Sequence, residues 1–217
     1  MKNTINSRLS KILQEYVVPV LQAHSFRAVG GQFEKELGRF AWMLEVQRGR
    51  ESNRAKVEFT LNCGIFVPGI ASLYSNCATP EDRNLPNCCV HVRIGMLAND
   101  KLDKWWVLQV HDASSIDEAI GEDLALRVQN HVIPFFSRFQ TIDDIFLFLS
   151  SPRPASDKYI WPQSHIIALS YAAILAYQLN RVSDLTILLN RAVAESDGSP
   201  LEEVVLRLKR RLTEDKL

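Results

Sequence analysis

The chain reads as an α+β protein: an antiparallel sheet of about five strands with helices packed on one face, followed by a small C-terminal helical module. Three observations lead there. Residues 54–67 alternate, with Ala55, Val57, Phe59, Leu61, Cys63, Ile65 and Val67 apolar, Arg54, Lys56, Glu58, Thr60, Asn62 and Gly64 between them, and Phe66 the one exception. Successive side chains on a strand point to opposite faces, so this pattern describes a strand with one dry side and one wet side. The strands follow one another through short polar turns, which favours α+β over alternating α/β. Apolar residues at spacings of three and four flank them, as on helices with a single buried stripe.

Taken in order, residues 3–24 read as an amphipathic helix through Ile5, Leu9, Ile12, Leu13, Tyr16, Val17, Val20 and Leu21. Pro19 lies inside it, removes a backbone donor and predicts a kink or break near Val18. Residues 25–37 form a first strand interrupted by Gly30 and Gly31. Phe40, Trp42, Leu44 and Val46 form a second, joined to the third at 54–67 by a turn carrying Gly49, Ser52 and Asn53. Residues 68–86, with three prolines, are mainly loop with room for a short helical turn. Alternation resumes over 88–97, and 104–110 make a fifth strand with Trp105 and Trp106. Ser115 and Glu118 have the spacing of a capping box opening the next helix, whose stripe Leu124, Val128, Val132, Phe135 and Phe139 should bend at Pro134. Thr141 restarts a short helix. The stretch 150–158, SSPRPASDK, has linker composition, giving two domains: 1–150, α+β, and 151–217, helical. Within the second, 162–180 and 183–194 are helices broken at Asn180-Arg181, and Ser199-Pro200-Leu201-Glu202 opens a third.

The totals exclude several classes. With 47% hydrophobic and 23% charged residues the chain has the composition of a globular protein and not of a disordered one. Twenty-five basic residues balance twenty-five acidic ones, so no global field draws it to nucleic acid or to an anionic membrane. No window nears the roughly 20 apolar residues of a membrane span, and the N-terminus lacks the features of a secretory signal; a cytoplasmic location is the expectation. No cofactor motif is present. Zinc binding would need Cys63, Cys77, Cys88 or Cys89 with His91, but no C-x-x-C pair exists and adjacent Cys88 and Cys89 point to opposite faces of a strand. The simpler reading is reduced thiols packed as small hydrophobes.

If helices cover the apolar face, the opposite one meets water or a partner. Its residues are Met43, Glu45, Gln47, Lys56, Glu58, Thr60, Asn62, Cys89, His91, Arg93, Trp105 and Gln109. Charged and amide groups there would fix a partner's orientation, and Trp105 would supply apolar contact area. Glu45, Glu58, His91 and Arg93 are the members from which a small enzyme or ligand-binding module could be built on that face. Alternation places them together without fixing their distances, and Glu58 can as readily pair with Lys56 or Arg93 across the sheet. Cys89 and His91 share a face two residues apart, but no oxyanion donors or helix N-terminus attend them, so no catalytic or metal-binding residue is assigned.

Several segments together resemble a bacterial family, domain of unknown function 4304: His24-Ser25-Phe26, Phe33, Val46-Gln47-Arg48, Phe59-Thr60-Leu61-Asn62, His91-Val92-Arg93-Ile94-Gly95 and Trp105-Trp106. The likeness spans residues 5–140. Membership implies the α+β fold and carries no settled activity. Relatives of this general kind look like accessory proteins of bacterial competition systems, immunity proteins among them. The expected function is therefore non-enzymatic binding of a protein partner through Glu45, Gln47, Lys56, Glu58, Thr60, Asn62, His91, Arg93, Trp105 and Gln109, with the helical tail contributing to a partner or self interface.

Overall fold

A computed structural model of the chain describes residues 5–76 and 82–214. Its strands are β1 (Arg27–Val29), β2 (Gln32–Leu37), β3 (Phe40–Arg48), β4 (Lys56–Phe66), β5 (Val90–Arg93) and β6 (Trp106–Gln109). They form one sheet in the order β1-β2-β3-β4-β5, with β6 also paired to β4. The class is α+β, as the patterning implies. The interruption at Gly30 and Gly31 is a two-residue hairpin: both have positive φ, +56° and +88°, the type I′ turn that glycine adopts without strain. The stretch 25–37 therefore yields two strands. The strand expected over 88–97 ends at Arg93, where Ile94–Leu97 tightens into a 3₁₀ helix. Trp105 falls just outside β6.

Pairing sets the faces. Val57 lies opposite Leu108 and Phe59 opposite Trp106, and Phe33 lies opposite Leu44. All but half-buried Phe33 are buried. Helices cover this face. α1 (Ile5–Ile12) passes through one π-turn, Leu13–Val17, into α2 (Val18–Ala23). After α3 (Ile70–Ser75), α4 (Ser114–Arg127) runs through a second π-turn, Val128–Val132, into α5 (Ile133–Ser137). Each π-turn precedes a proline. The amides of Val18 and Ile133 reach back five residues, to the carbonyls of Leu13 and Val128. The α-ladder then restarts with Pro19 or Pro134 in its first turn, where no N–H is needed. The expected break at Val18 is thus a change of helical register. Phe136 of α5 stacks on Trp42 at 5.3 Å, and Phe26 touches both rings. At Gly121 a Cβ would lie 2.3 Å from Tyr16 Cδ2, so only glycine lets α4 approach that ring.

One cap expectation changes. α4 starts at Ser114 without a side-chain cap, so the box at Ser115 and Glu118 does not form. Thr141 makes one instead: Asp144 N–H donates to its Oγ1 at 3.2 Å, and its own N–H donates to Asp144 Oδ2 at 2.7 Å. That box opens α6 (Ile142–Ser150), followed by α7 (His165–Gln178), α8 (Val182–Ser196) and α9 (Glu202–Glu214). α9 keeps the start that Ser199-Pro200-Leu201-Glu202 implies: Ser199 Oγ accepts from Leu201 N–H at 3.2 Å, and Glu202 turns back to accept from Gly198 N–H at 3.0 Å.

Compactness divides the chain at different points from the domain boundary expected at 150/151. One unit comprises Met1–Gly64 and Val92–Arg138, the other Ile65–His91 and Phe139–Leu217. In the second, α6, α8, α9 and α3 pack around α7, which is buried continuously from Ala168 to Ala176; an apolar helix of this kind needs neighbours on all sides. The 150–158 stretch is held firmly: Arg153 donates to the carbonyls of Ile160 and Pro162, and Asp157 is buried. Among the described residues no helix is long and apolar enough to cross a membrane.

Candidate functional site

In the first unit, the face of the sheet opposite the helices carries the candidate residues. β3 presents Glu45 and Gln47, β4 presents Lys56, Glu58, Thr60 and Asn62, and β6 presents Gln109 opposite Lys56. Arg93 ends β5, and Trp105 stands just before β6. Glu45, Gln47, Lys56, Glu58, Arg93 and Trp105 are half-buried and Gln109 is exposed. Met43, Cys89, Thr60 and Asn62, expected to face outward into water, are buried; Asn62 is 4% exposed and Thr60 0%. Alternation fixes which side a residue takes and is silent on what lies above it. Buried polar side chains must then find partners, and these do. Thr60 Oγ1 donates to the carbonyl of Lys104 at 2.8 Å. Asn62 Nδ2 donates to Gln47 Oε1 at 2.8 Å.

Four of the expected residues form one connected group. Gln47 Oε1, already holding Asn62, also accepts from an Arg93 guanidinium nitrogen at 3.2 Å. A second Arg93 nitrogen donates to Asp103 Oδ2 at 2.6 Å, and Trp105 Nε1–H donates to the same oxygen at 3.1 Å. The guanidinium carbon lies 5.0 Å from the Trp105 ring centre, over its face, a cation–π contact. Burial pushes the Asp103 carboxyl up, but the hydrogen bonds from Arg93 and Trp105 and the Arg93 charge outweigh it and hold the group below its ordinary value. Asp103 is the member that alternation missed, because it lies in the loop before β6; its place two residues before an outward tryptophan was the available signal.

The other expected residues stay apart from this group. Lys56 pairs with Glu51 at 3.6 Å and Glu58 at 4.0 Å, and the β3–β4 turn is tied down by Ser52 Oγ, which bonds the Glu58 backbone. Glu45 lies opposite Gln32. His91 belongs to the second unit. Its ring stacks on Trp161 at 5.5 Å, and burial lowers its pKa against the opposing effect of the Cys88 carbonyl. Cys89 is buried with Sγ donating to the Ile65 carbonyl at 3.4 Å. Burial pushes the Cys63 thiol well up, the inert end of cysteine chemistry. Cys77 lies outside the described residues, among which no three of His, Cys, Asp and Glu gather as metal ligands would. What the Arg93 group can do is recognise: it offers a stacked guanidinium–indole pair and a carboxylate in fixed positions.

No curated protein and no solved structure is significantly similar to the chain. One family, described as domain of unknown function (DUF4304), matches over residues 17–138. That span holds all six strands, α4, α5 and every member of the Arg93 group. The chain therefore belongs to the DUF4304 family.

Proposed function

We propose that the protein is a non-enzymatic binding protein that engages a protein partner through the polar face of its sheet, acting in the bacterial cytoplasm as an immunity or accessory factor. The observation that carries this reading is the half-exposed Arg93–Asp103–Trp105 group. Tryptophan and arginine are enriched among residues that dominate binding energies. Here both are already immobilised, so docking on them forfeits little side-chain freedom. Glu45, Gln47, Lys56 and Glu58 supply a polar rim. Thr60 and Asn62 act from beneath, holding the Lys104 segment and Gln47. Support from kinship is an analogy to accessory proteins of bacterial competition systems.

The test is to capture partners from the native host with wild-type protein, then measure the purified partner against Trp105→Ala and Arg93→Ala. Each substitution should weaken binding by about tenfold or more while leaving the unfolding midpoint within a few degrees. A partner bound equally well by both variants, or a captured metabolite released by Glu58→Gln in place of a protein, overturns the reading.

A further inference from the structure

A second, independent feature of the first unit lies at the opposite edge of the sheet. Among the described residues, β1 ends the strand order and pairs with β2 alone. Its three residues are exposed. In the two-residue hairpin at Gly30-Gly31, the flanking residues Val29 and Gln32 exchange the hydrogen bonds that close the turn. Antiparallel pairing alternates, so Ala28 and Phe33 form a non-hydrogen-bonded pair. The N–H and C=O of Ala28 therefore point away from β2, toward the open edge.

Beside this edge, on the helix side of the sheet, is a cleft of about 280 Å³. Leu13, Leu21, Phe33 and Val46 line it, with Ala28 at its mouth and the amides of Gln14 and Gln22 on its rim; no charged side chain is among its described lining residues. We propose that β1 accepts an extended, uncharged segment of a partner protein as an added antiparallel strand, seating one leucine-sized side chain in this cleft. The residue placed opposite Ala28 exchanges both backbone hydrogen bonds with it, and its side chain projects to the same face as the Ala28 methyl, which is the face the cleft opens on. Uncharged lining matches an uncharged segment, and the rim glutamines match its peptide groups. The volume lies below the roughly 300–1,000 Å³ of pockets that enclose a whole small ligand. Pairing with a second copy of the chain across a twofold axis would put Ala28 opposite Ala28 and leave the cleft unfilled. Strand addition of this kind draws affinity from the backbone and specificity from the pocket.

The probe is a capped pentapeptide, acetyl-Thr-Thr-Leu-Thr-Thr-amide, titrated into isotope-labelled full-length protein and followed by NMR. Saturable shifts are expected at the Ala28 and Val29 backbone amides and at the Gln14 and Gln22 side-chain amides. Serine in place of the leucine should weaken binding by at least about tenfold, and N-methylation of the leucine should abolish it. Gln22→Glu, at an exposed position, should weaken binding without changing the unfolding midpoint. Equal shifts from leucinamide alone would mean a small-molecule site and overturn the proposal. So would β1 shifts that follow protein concentration and ignore the peptide, which would mean self-pairing, or the absence of any saturable shift.

Discussion

Trp105 and Trp106 are neighbours in the chain and point to opposite faces of the sheet, yet each sits in the same chemical arrangement. Trp105 Nε1–H donates to Asp103, which accepts from Arg93 at 2.6 Å. Trp106 Nε1–H donates to Asp123 at 2.9 Å, which accepts from Arg127 at 2.8 Å. A cation lies over each indole: Arg93 over Trp105 and Lys104 over Trp106. The difference is burial. Trp106 is 4% exposed and stacks on Phe59 at 5.8 Å, while Trp105 is half-exposed with no stacked ring beneath it among the described residues. The same triad thus fastens α4 to β6 on one face and stands open on the other. What differs is whether the indole's apolar area is already covered, and area still open is what a partner can use.

The largest effect should separate the two indoles directly. Trp106→Ala removes a buried ring and its stacking on Phe59, and should lower the free energy of unfolding by about 3–5 kcal/mol. Trp105→Ala should lower it by no more than about 1 kcal/mol, as surface changes do. Urea denaturation of both variants measures the gap; equal losses would mean that Trp105 is a packing residue and that the open face is closed. A smaller effect probes the polar layer beneath. Asn62→Ala takes one of two donors from Gln47 Oε1, which keeps its bond from Arg93, and should cost about 0.5–1.5 kcal/mol. Adding Gln47→Leu to Asn62→Leu should cost more and recover nothing, because it also takes the acceptor from the Arg93 guanidinium, whose Nε is already a buried donor without a hydrogen-bond partner among the described residues. A double variant more stable than Asn62→Leu alone would show that the Gln47–Arg93 bond contributes nothing.

These contrasts also mark what the sequence could disclose. Alternation carried the faces correctly in β4 and β6, where Val57 lies opposite Leu108 and Lys56 opposite Gln109, because a period of two leaves no freedom once one face is apolar. It could not report that Met43, Thr60 and Asn62 are covered, since burial depends on what another part of the chain lays over a strand. Gly30-Gly31 reads as an interruption unless the two glycines are weighed as a type I′ turn, in which case two strands follow. Pro19 reads as a kink or break and Pro134 as a bend because proline's missing donor is local, whereas the π-turns that absorb them are a property of the whole turn before. Composition marked 150–158 as a linker, but the Arg153 hydrogen bonds that order it run to carbonyls beyond that stretch, at Ile160 and Pro162. Of the site, Gln47, Asn62, Arg93 and Trp105 were legible from their shared face. Asp103, which joins two of them, was not, since no periodicity governs a loop.

The smallest effect compares the two carboxylates. For both Asp103 and Asp123, burial pushes the pKa up, while the indole and guanidinium hydrogen bonds and the nearby positive charge push it down further, below the ordinary 3.8. A carboxyl depressed on folding contributes stability that is complete above its unfolded pKa and is lost as pH falls through the folded one. Both groups therefore act on the acid limb, below about pH 4. Asp103 and Arg93 are the more exposed pair, at 42% and 29%, against 33% and 21% for Asp123 and Arg127. Solvent and salt screen exposed pairs more, so a double-mutant cycle on Arg93 and Asp103 should give a coupling of only about 0.2–1 kcal/mol at neutral pH. That coupling should fade below the folded pKa of Asp103 and shrink at high salt. The cycle on Arg127 and Asp123 should keep more of its coupling at high salt, because that pair is further from water. If the two cycles responded alike to salt, the open triad would be as shielded as the closed one, and the distinction between a fastening indole and a presenting indole would lose its physical basis.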